Sequence, residues 1–396
     1  MQLKTILKTK LTSFDYLMFA IVIGLSIFGI IMVGSATRIH IGGSTVAFEQ
    51  QQLWVATGAV LLLLTAFIDY RFIARFYIVA YVLNVGLLAA VRLWGTPIGV
   101  GGDVQRAIPI GDLGSIQPSE FAKILMILFL AVLIDRFHEK LNRPLYLIMI
   151  LSMIAVPVVL IAIQPSLSAA VVVFAVSLSI IFVAGLSFKY IISALIILVP
   201  AAYFFVLDVL REYPRFVHLF LRDYQIERRI LPFLQPYGDA VDFETRRQTL
   251  QSIRAIGSGQ LSGQGLHEGT LNQLNYVAHS HNDFIFAVIG EELGYIGAIS
   301  VLAVMLIITL KCLYVAARAQ SLTGRLIASG VGFMIAFQTF VNVGVSIGIL
   351  PNTGMVLPFI SYGGSAMWVN MAAIGLVINI GMEQPKKTSM FSREEN

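Results

Sequence analysis

An aspartate lies where a polar segment of the sequence changes to an apolar one, in HSHNDFIFAVIGEELG (279–294). Because the apolar run predicts a helix, the carboxylate of Asp283 is well placed to cap its first turn. A carboxylate held against a hydroxyl group can instead act as a general base, which contributes about 10²–10⁴-fold to a rate. His279 and His281 precede it, but a His-x-His-x-Asp spacing alone is weak evidence for a metal site. Position therefore leaves capping and base catalysis both open.

Four charged residues lie inside apolar runs, where an uncompensated charge is costly. Glu120 and Lys123, in SEFAKILM (119–126), are three residues apart and share one helix face at ion-pair spacing. Such a pair either fixes helix packing or lines a polar cavity for the head group of a substrate. Glu291 and Glu292 are adjacent and cannot share one helix face. We expect one of them to face the helix bundle, where it serves as a structural carboxylate or lines the cavity.

The stretch from about 210 to 283 is the one long region of mixed polarity, with eight arginines and eight carboxylates. Its net charge near zero does not explain why the arginines cluster, and clustered arginines suit bidentate contacts to a phosphate or carboxylate. Salt bridges within the loop are the alternative. Two segments, 216–236 and 241–260, predict amphipathic helices at the membrane interface. The glycine-rich stretch GSGQLSGQG (257–265) lacks the lysine of a phosphate-binding loop, so we interpret it as a turn that shapes the backbone.

The stretch NTGMVLPFISYGGSAMW (352–368) joins two apolar runs without any charge. Pro358 and the Gly363–Gly364 pair predict a bent, re-entrant segment, which a membrane protein tolerates only against protein or a cavity. Ser361 and Tyr362 would then offer hydroxyl groups to that cavity. A tight surface turn is the alternative.

Apolar segments must position all of these residues, because the chain of 396 residues is 57% hydrophobic and 12% charged, with a mean hydropathy of +0.83. Runs of about 20 apolar residues cross the hydrocarbon as helices. We predict an all-α polytopic membrane protein that forms a single membrane domain over 1–396. The ten predicted spans are approximately 16–34, 53–68, 74–94, 119–135, 145–163, 167–186, 190–209, 284–310, 326–350 and 365–382.

Lysine and arginine concentrate in alternate connecting segments, which are cytoplasmic by the positive-inside rule. Both termini are then cytoplasmic, and the large loop 210–283, between spans 7 and 8, is extracytoplasmic. The same rule accounts for most of the net charge of +5, which therefore does not argue for a nucleic-acid partner. The single cysteine, Cys312, excludes an internal disulfide and any site with several cysteine ligands.

Several of these segments together resemble the motifs of the SEDS family, the shape, elongation, division and sporulation proteins of bacteria. The resemblance covers about residues 15–382, and EGTLNQLNYV (268–277) is more similar to the RodA rod-shape-determining branch than to the FtsW division branch. The motifs that carry it are QPSEFAKI (117–124), RILPFLQP (229–236), QSIRAIGSG (251–259), DFIFAVIGEELG (283–294) and PFISYGGS (358–365).

The resemblance implies a peptidoglycan glycosyltransferase of the bacterial cytoplasmic membrane. This family polymerises lipid II, the undecaprenyl-pyrophosphate-linked disaccharide-pentapeptide, into glycan strands, and its partner is a class B penicillin-binding protein. The family's essential aspartate falls on Asp283, and its intramembrane pair falls on Glu120 and Lys123. Asp283 would deprotonate the GlcNAc 4-hydroxyl while arginines hold the pyrophosphate. Candidates for contact with the substrates are Arg229, Arg246, Arg247, Arg254, Arg106, Ser361 and Tyr362.

A divalent cation, Mg²⁺ or Mn²⁺, would also suit a pyrophosphate leaving group. The sequence shows no dedicated cation site, so no residue is assigned as a metal ligand. Membrane lipids complete the set of expected partners.

The surroundings of the aspartate depart from the family pattern, although the aspartate itself is kept. Where the family usually has P-E-x-H-T-D-F, this chain has His279 and Asn282 in place of the glutamate and threonine. Gln264 stands where lysine is frequent, Ala107 follows Arg106 in place of tryptophan, and Ser166 replaces the aspartate of a P-D-L-G-T segment. These departures indicate a specialised paralogue or one with altered activity.

Two other functions fit a ten-span membrane protein. A lipid II flippase would use the buried Glu120, Lys123 and Glu291 as a polar path, although the sequence shows no inverted repeat of the kind many transporters have. A non-catalytic scaffold that recruits and activates a penicillin-binding protein would keep the spans and tolerate the loss of Asp283.

Overall fold

The computed structural model describes residues 11–38, 46–97, 105–109, 115–164, 166–209, 230, 233 and 243–383. The predicted interfacial helix at 216–236 falls outside these residues except at 230 and 233, and Arg229 also falls outside them. The described part of the chain is mostly helical, as expected for backbone that must satisfy its own hydrogen bonds in lipid.

The helices follow the apolar runs of the sequence, and several of them begin at prolines or polar caps. Asp15 caps the first helix by accepting a hydrogen bond from Met18 N at 2.8 Å, and Pro118 and Pro144 occupy the first turns of two others. The helices are α1 (Tyr16–Thr37), α2 (Val46–Phe67), α3 (Tyr70–Arg75), α4 (Tyr77–Trp94), α5 (Pro118–Arg136), α6 (Pro144–Ile163), α7 (Leu167–Val183), α8 (Phe188–Val209), α9 (Phe243–Ser258), α10 (Thr270–Gln273), α11 (Ile285–Arg318), α12 (Leu322–Ser346) and α13 (Gly364–Gly381), with a 3₁₀ turn at His138–Lys140.

A helix overlaps each of the ten predicted spans. In the described residues, seven helices are long and apolar enough to cross a membrane, namely α1, α2, α6, α8, α11, α12 and α13. Apolar helices α4 and α7 are shorter, and α5 carries the charged residues Glu120 and Lys123. The count of ten crossings stays a prediction.

A small sheet corrects the prediction of a purely helical protein. Between α4 and α5 lie three short strands, β1 (Thr96–Pro97), β2 (Gln105–Pro109) and β3 (Ser115–Ile116). They pair antiparallel in the order β1-β2-β3, with Thr96 opposite Ala107 and Ile108 opposite Ile116. Strands this short give no periodic signal beside apolar runs of twenty residues.

The core lies where α5, α12 and α13 meet, and these helices bury most of their residues. Helix α13 packs against α2, and α12 packs against both α11 and α7. Helix α8 differs, because only Asp208 and Val209 of its residues are buried. Its apolar surface is suited to lipid.

Helix α11 is broken at Gly294, which has φ +65° and ψ −165°. The carbonyls of Glu291 and Glu292 therefore lose their partners four residues on, and the amides of Tyr295 and Ile296 lose theirs. The glycine-rich turn supplies a new partner to each of these four groups. Gln264 N and Gly265 N donate to the carbonyls of Glu291 and Glu292, both at 3.0 Å, while Tyr295 N and Ile296 N donate to the carbonyls of Gln260 and Leu261 at 2.9 and 3.2 Å.

The break divides the helix that overlaps the eighth predicted span into two parts. The part of α11 that follows it, 295–318, is about 36 Å long at 1.5 Å per residue, which is enough to cross a core of about 30 Å. The shorter part, 285–293, bonds to the turn that belongs to the large loop. Glu291 and Glu292 therefore contact this loop, whereas the prediction had placed them inside a continuous span at 284–310.

Glycine is required where the turn meets the break. A Cβ on Gly263 would lie 2.1 Å from the carbonyl oxygen of Glu292, and Gly263 has φ +82°. We expect Gly263→Ala to lower the free energy of unfolding by at least about 1–2 kcal/mol, because alanine disfavours the left-handed backbone conformation. The overlap of its Cβ with the carbonyl oxygen of Glu292 should lower it further. Thermal unfolding of the purified protein in detergent should show a lower midpoint.

Gly257→Ala is the matched control, since Gly257 lies in α9 and a Cβ there would have nothing within 4 Å. Alanine is the better helix former, so this variant should unfold at or above the wild-type temperature. Equal midpoints for the two variants would show that the turn does not hold the break.

Candidate functional site

Asp283 lies in a turn that precedes α11. Asn282 N and Phe284 N both donate to the carbonyl of His279, at 3.0 and 3.3 Å, and His279 adopts φ +51°. The N-cap residue of α11 is Phe284, so Asp283 lies one position outside the capping position. Asp283 is partly exposed.

Three consecutive carbonyls of this turn are each held by a donor from another part of the chain. Because carbonyls 281–283 are fixed in this way, the backbone that carries the aspartate cannot move without breaking several hydrogen bonds. The three bonds run from Tyr362 N to His281 O (2.9 Å), from Ser361 Oγ to Asn282 O (2.8 Å) and from Asn342 Nδ2 to Asp283 O (2.9 Å).

Two of these donors come from the segment after α12, which dips between the helices. Residues 357–361 are buried and not helical, and Phe359 adopts φ +65° although it is only 1% exposed. The segment reaches Gly29 of α1, where an added Cβ would lie 2.7 Å from Ile360 Cα. Gly29 is eight residues, or about 12 Å, from the end of α1 at Thr37. The segment is therefore bent into the bundle, and the alternative of a surface turn is wrong.

The hydroxyl groups of this segment are engaged within the protein. Ser361 Oγ accepts a hydrogen bond from Leu357 N at 2.7 Å in addition to the one it donates. Tyr362 OH donates to Gln50 Oε1, and its ring packs 4.7 Å from that of Trp54. Burial raises the pKa of Tyr362 above its ordinary value, so the hydroxyl remains a donor at neutral pH. This geometry assigns the segment to the positioning of the aspartate, while substrate contact stays a prediction.

Glu120 and Lys123 form a buried ion pair in α5. Their Nζ–Oε2 distance is 2.6 Å, and the two residues are 5% and 1% exposed. The start of α5 touches the re-entrant segment's far end, because Gln117 N donates to Ser365 Oγ at 3.0 Å. The ion pair therefore lies near the start of a helix that contacts the re-entrant segment, and this segment holds the turn that carries Asp283.

The carboxylates of Glu291 and Glu292 both hold the loop that follows the glycine-rich turn. Glu291 accepts hydrogen bonds from Leu271 N and Asn272 N at 2.6 and 3.0 Å. Glu292 accepts from Ser35 Oγ at 2.6 Å and from His267 N at 3.2 Å. Although the two side chains are adjacent in sequence, both accept hydrogen bonds from backbone amides of the segment 267–272.

The arginine candidates are only partly described. The side chains of Arg106, on β2, and Arg246, on α9, fall outside the description. Arg247 and Arg254 are exposed and two turns apart on α9, which places them on one face of that helix. This helix neighbours the re-entrant segment, because Asn352 Nδ2 donates to Gln248 Oε1 at 3.1 Å.

No metal site can be assigned. Within the described ranges, no three His, Cys, Asp or Glu side chains cluster closely enough to hold an ion. His281 packs its ring against Tyr362 at 5.4 Å. The described residues therefore do not fit a dedicated Mg²⁺ or Mn²⁺ centre, and no step of the chemistry below uses one.

The sequence interpretation missed Asn342. Its side chain bridges two parts of the site, since Nδ2 also donates to the carbonyl of Met355 at 2.6 Å. Gln51 was missed as well, and its Nε2 donates to Ser361 O at 3.2 Å. A polar amide inside an apolar span is the signal that would have found Asn342, because only charged residues in the spans were considered.

Comparisons with known proteins agree with this architecture. A model of the cell cycle protein family of FtsW, RodA and SpoVE matches residues 15–386. A relative from Geobacter metallireducens, named probable peptidoglycan glycosyltransferase FtsW, is 33% identical over 94% of this chain and 95% of its own. The Escherichia coli K12 peptidoglycan glycosyltransferase MrdB is 33% identical over 92% of this chain and 93% of its own.

Solved structures give the same fold. A chain from work on the structural coordination of polymerization and crosslinking by a peptidoglycan synthase complex has a TM-score of 0.74 and 26% identity, and the match covers 94% of this chain and 99% of that one. The Thermus thermophilus rod shape determining protein RodA has a TM-score of 0.63 and 23% identity, over 93% and 96% of the two chains.

FtsW-type and MrdB-type relatives match at the same identity of 33%, so the comparisons do not choose between the branches. The family match covers nearly the whole chain and agrees with a bundle of apolar helices. The chain belongs to the FtsW, RodA and SpoVE family of cell cycle proteins and is a multi-pass protein of the bacterial cytoplasmic membrane.

Proposed function

We propose that this protein is a peptidoglycan glycosyltransferase that polymerises lipid II into glycan strands at the outer face of the membrane, with Asp283 as the general base. The observation that carries the proposal is the fixation of three consecutive carbonyls at 281–283 around a partly exposed carboxylate. A structural aspartate needs no such support, whereas a base must be held against the proton it removes. The names of the family relatives supply the substrate class.

The reaction joins two lipid-linked sugars. Asp283 takes the proton of the GlcNAc 4-hydroxyl of one lipid II, and the oxygen attacks the anomeric carbon of MurNAc at the end of the growing strand. The bond to the undecaprenyl pyrophosphate breaks, and single displacement inverts the α linkage to β. Negative charge develops on the pyrophosphate, which arginines can stabilise. Arg247 and Arg254, exposed on one face of α9, are the described candidates.

The topology follows from the same proposal. Both substrates are anchored by isoprenoid tails, so the base has to meet them at the membrane surface. Ten crossings with cytoplasmic termini put Asp283 and the loop 210–283 on the outer face. We assign the protein to cell elongation and shape maintenance, on the similarity of 268–277 to the RodA branch.

We further propose a class B penicillin-binding protein as the partner. The support is the similarity to a chain from a peptidoglycan synthase complex that couples polymerization to crosslinking. The partner would cross-link the strands that this chain produces.

Polymerisation by the purified protein with its cognate class B partner tests the proposal. Lipid II should be converted into glycan strands that a muramidase digests. If the complex makes no strands but moves lipid II across liposome membranes, the chain is a flippase. If it does neither and still activates the partner's transpeptidase, the chain is a scaffold.

Asn342→Leu should lower the rate of polymerisation with little change in KM. The substitution keeps the approximate size of the side chain but leaves the carbonyls of Asp283 and Met355 without their donor, at a cost of about 1–3 kcal/mol for each buried group. The turn can then move away from its working position, so we expect kcat to fall by about tenfold or more. Steady-state kinetics with lipid II as the substrate would measure the changes in kcat and in KM separately.

Asn370→Leu is the control for that experiment. Asn370 is also buried in an apolar span, and its amide makes one long bond, to Gln338 Oε1 at 3.5 Å. Its kcat should stay within about twofold of wild type, since no bond to the turn is lost. Equal losses in the two variants would assign Asn342 to general packing.

A further inference from the structure

A polar cavity of about 600 Å³ lies between the end of α1 and the loop that follows the glycine-rich turn. Among the residues that the structure describes, this cavity, called here the α1 pocket, is lined by Arg38, Leu266, His267, Glu268 and Gln273. None of these five residues belongs to the support of Asp283 described above. Its volume is within the range of about 300–1,000 Å³ that is usual for small-molecule sites.

Hydrogen bonds hold the walls of the α1 pocket to each other and to α11. The loop that forms one wall is bonded to Glu291 and Glu292 through the backbone amides of Leu271, Asn272 and His267. Asn272 Nδ2 also contacts the carbonyl of Ser35 in α1 at 3.4 Å, which joins this wall to the other. Both glutamates are fully buried.

The pocket lies beside the turn that carries the candidate base. Ser280 Oγ donates to the carbonyl of Ala36 at 3.4 Å. Ala36 is two residues from Arg38, and Ser280 is three residues from Asp283. A ligand in the α1 pocket would therefore lie near the reacting groups without occupying them.

The lining combines a fixed positive charge with hydrogen-bonding groups of both kinds. Arg38 and Glu268 line one cavity, yet in the described part of the chain no ion pair joins them. A ligand that fits supplies hydroxyl or amide groups for Glu268 and Gln273, and a carboxylate for Arg38.

We propose that the α1 pocket is a subsite for the glycan strand, which holds a sugar unit through its hydroxyl and acetamido groups while Arg38 pairs with a carboxylate of the attached peptide. This inference rests on the proposed polymerase function and adds a second point of attachment for its product. A bare phosphate would place its whole charge between Arg38 and Glu268, and a cation is disfavoured by Arg38, whereas an extended ligand can present its carboxylate to Arg38 and its hydroxyl groups to Glu268. A carboxylate-bearing saccharide satisfies both residues.

The subsite has a consequence for strand length. A strand that is held at a second point remains near the base after each addition, so the next lipid II is added before the strand leaves. Loss of the subsite should shorten the strands without slowing the first coupling of two lipid II molecules, because neither of those molecules needs the α1 pocket.

Arg38→Gln and Glu268→Gln in the full chain with its class B partner test the subsite. The probe is a soluble, lipid-free disaccharide-peptide fragment of peptidoglycan. We expect the Kd of this fragment to rise about tenfold or more in Arg38→Gln, because one charge-assisted contact is lost. Both variants should make strands several times shorter. The rate of the first coupling of two lipid II molecules should be unchanged. Arg325→Gln, an exposed arginine at the start of α12, is the control. Glu268 is exposed, so its variant should fold even if the other does not.

Unchanged strand lengths and unchanged fragment affinity in both variants overturn the subsite and leave the polymerase proposal intact. Displacement of the fragment from the wild-type protein by millimolar inorganic phosphate also overturns it, in favour of a phosphate site. If the wild-type complex makes no strands but binds the fragment through Arg38, the subsite stands and the polymerase function fails. Asp283→Asn should bind the fragment as tightly as wild type, which separates the two sites.

Discussion

Asp283→Asn is expected to reduce the initial rate of lipid II polymerisation by about 10²–10⁴-fold, the usual contribution of a positioned general base. Asparagine keeps the shape of the side chain but cannot take a proton from the acceptor hydroxyl. The backbone bonds that hold carbonyls 281–283 do not involve this carboxylate, so the turn should keep its place. The measurement is the rate of strand formation by the purified complex, with labelled lipid II.

Asp69→Asn is the matched control, because it makes the same substitution in the N-cap of α3, where Asp69 accepts a hydrogen bond from Arg71 N at 2.9 Å. An asparagine can make that cap bond too, so the rate should remain within about twofold. Thermal unfolding and co-purification with the partner would establish that both variants are folded and assembled. If Asp283→Asn polymerises at the wild-type rate, the aspartate is structural and the base lies elsewhere.

Lys123→Met is expected to be the most destabilising of the substitutions considered, by about 3–5 kcal/mol. It removes a fully buried ammonium group and leaves the carboxylate of Glu120 buried without its partner at 2.6 Å. The double variant Glu120→Gln/Lys123→Met should recover most of this loss, because it removes both charges. Thermal unfolding in detergent would rank the single and the double variant by their midpoints. The yield of folded protein is a second readout.

The pair between Lys311 and Asp15 provides the comparison. Its atoms are 2.7 Å apart, but the side chains are 22% and 31% exposed, so solvent screens the interaction. Lys311→Met should cost no more than about 1 kcal/mol. If the double variant at 120 and 123 is as unstable as Lys123→Met, the pair contributes through shape rather than charge.

Sequence alone predicted the helices well, because the cost of leaving backbone groups unsatisfied in lipid makes long apolar runs helical. It also predicted that Glu120 and Lys123 lie on one helix face at ion-pair distance, since residues three apart are neighbours on a helix with 3.6 residues per turn. It did not give the break in α11. The 285–310 stretch carries no charged residue apart from its two glutamates, and Gly294 is one of 33 glycines in the chain. The break depends on hydrogen bonds from a turn about thirty residues earlier, which a local pattern does not contain.

The candidate site was predicted in part. Asp283, Ser361 and Tyr362 were identified, and the structure brings the latter two against the turn that carries the aspartate. Their engagement by Leu357, Gln50 and Gln51 could not be anticipated, because it depends on how deeply the re-entrant segment enters the bundle. Asn342 illustrates the same limit. Its amide has a clear role only when the carbonyls of Asp283 and Met355 are known to lie on either side of it.

The four hydrogen bonds between the glycine-rich turn and the break in α11 also constrain how this chain can change in length. Residues 260–265 pair with residues 291–296 in a fixed register, so the insertion or deletion of one residue within the turn would misalign several bonds at once. A change of length elsewhere in the large loop, before α9, leaves that register untouched. Natural and engineered variation in the size of this loop should therefore be concentrated before residue 243. Tags or reporter domains should be inserted there as well.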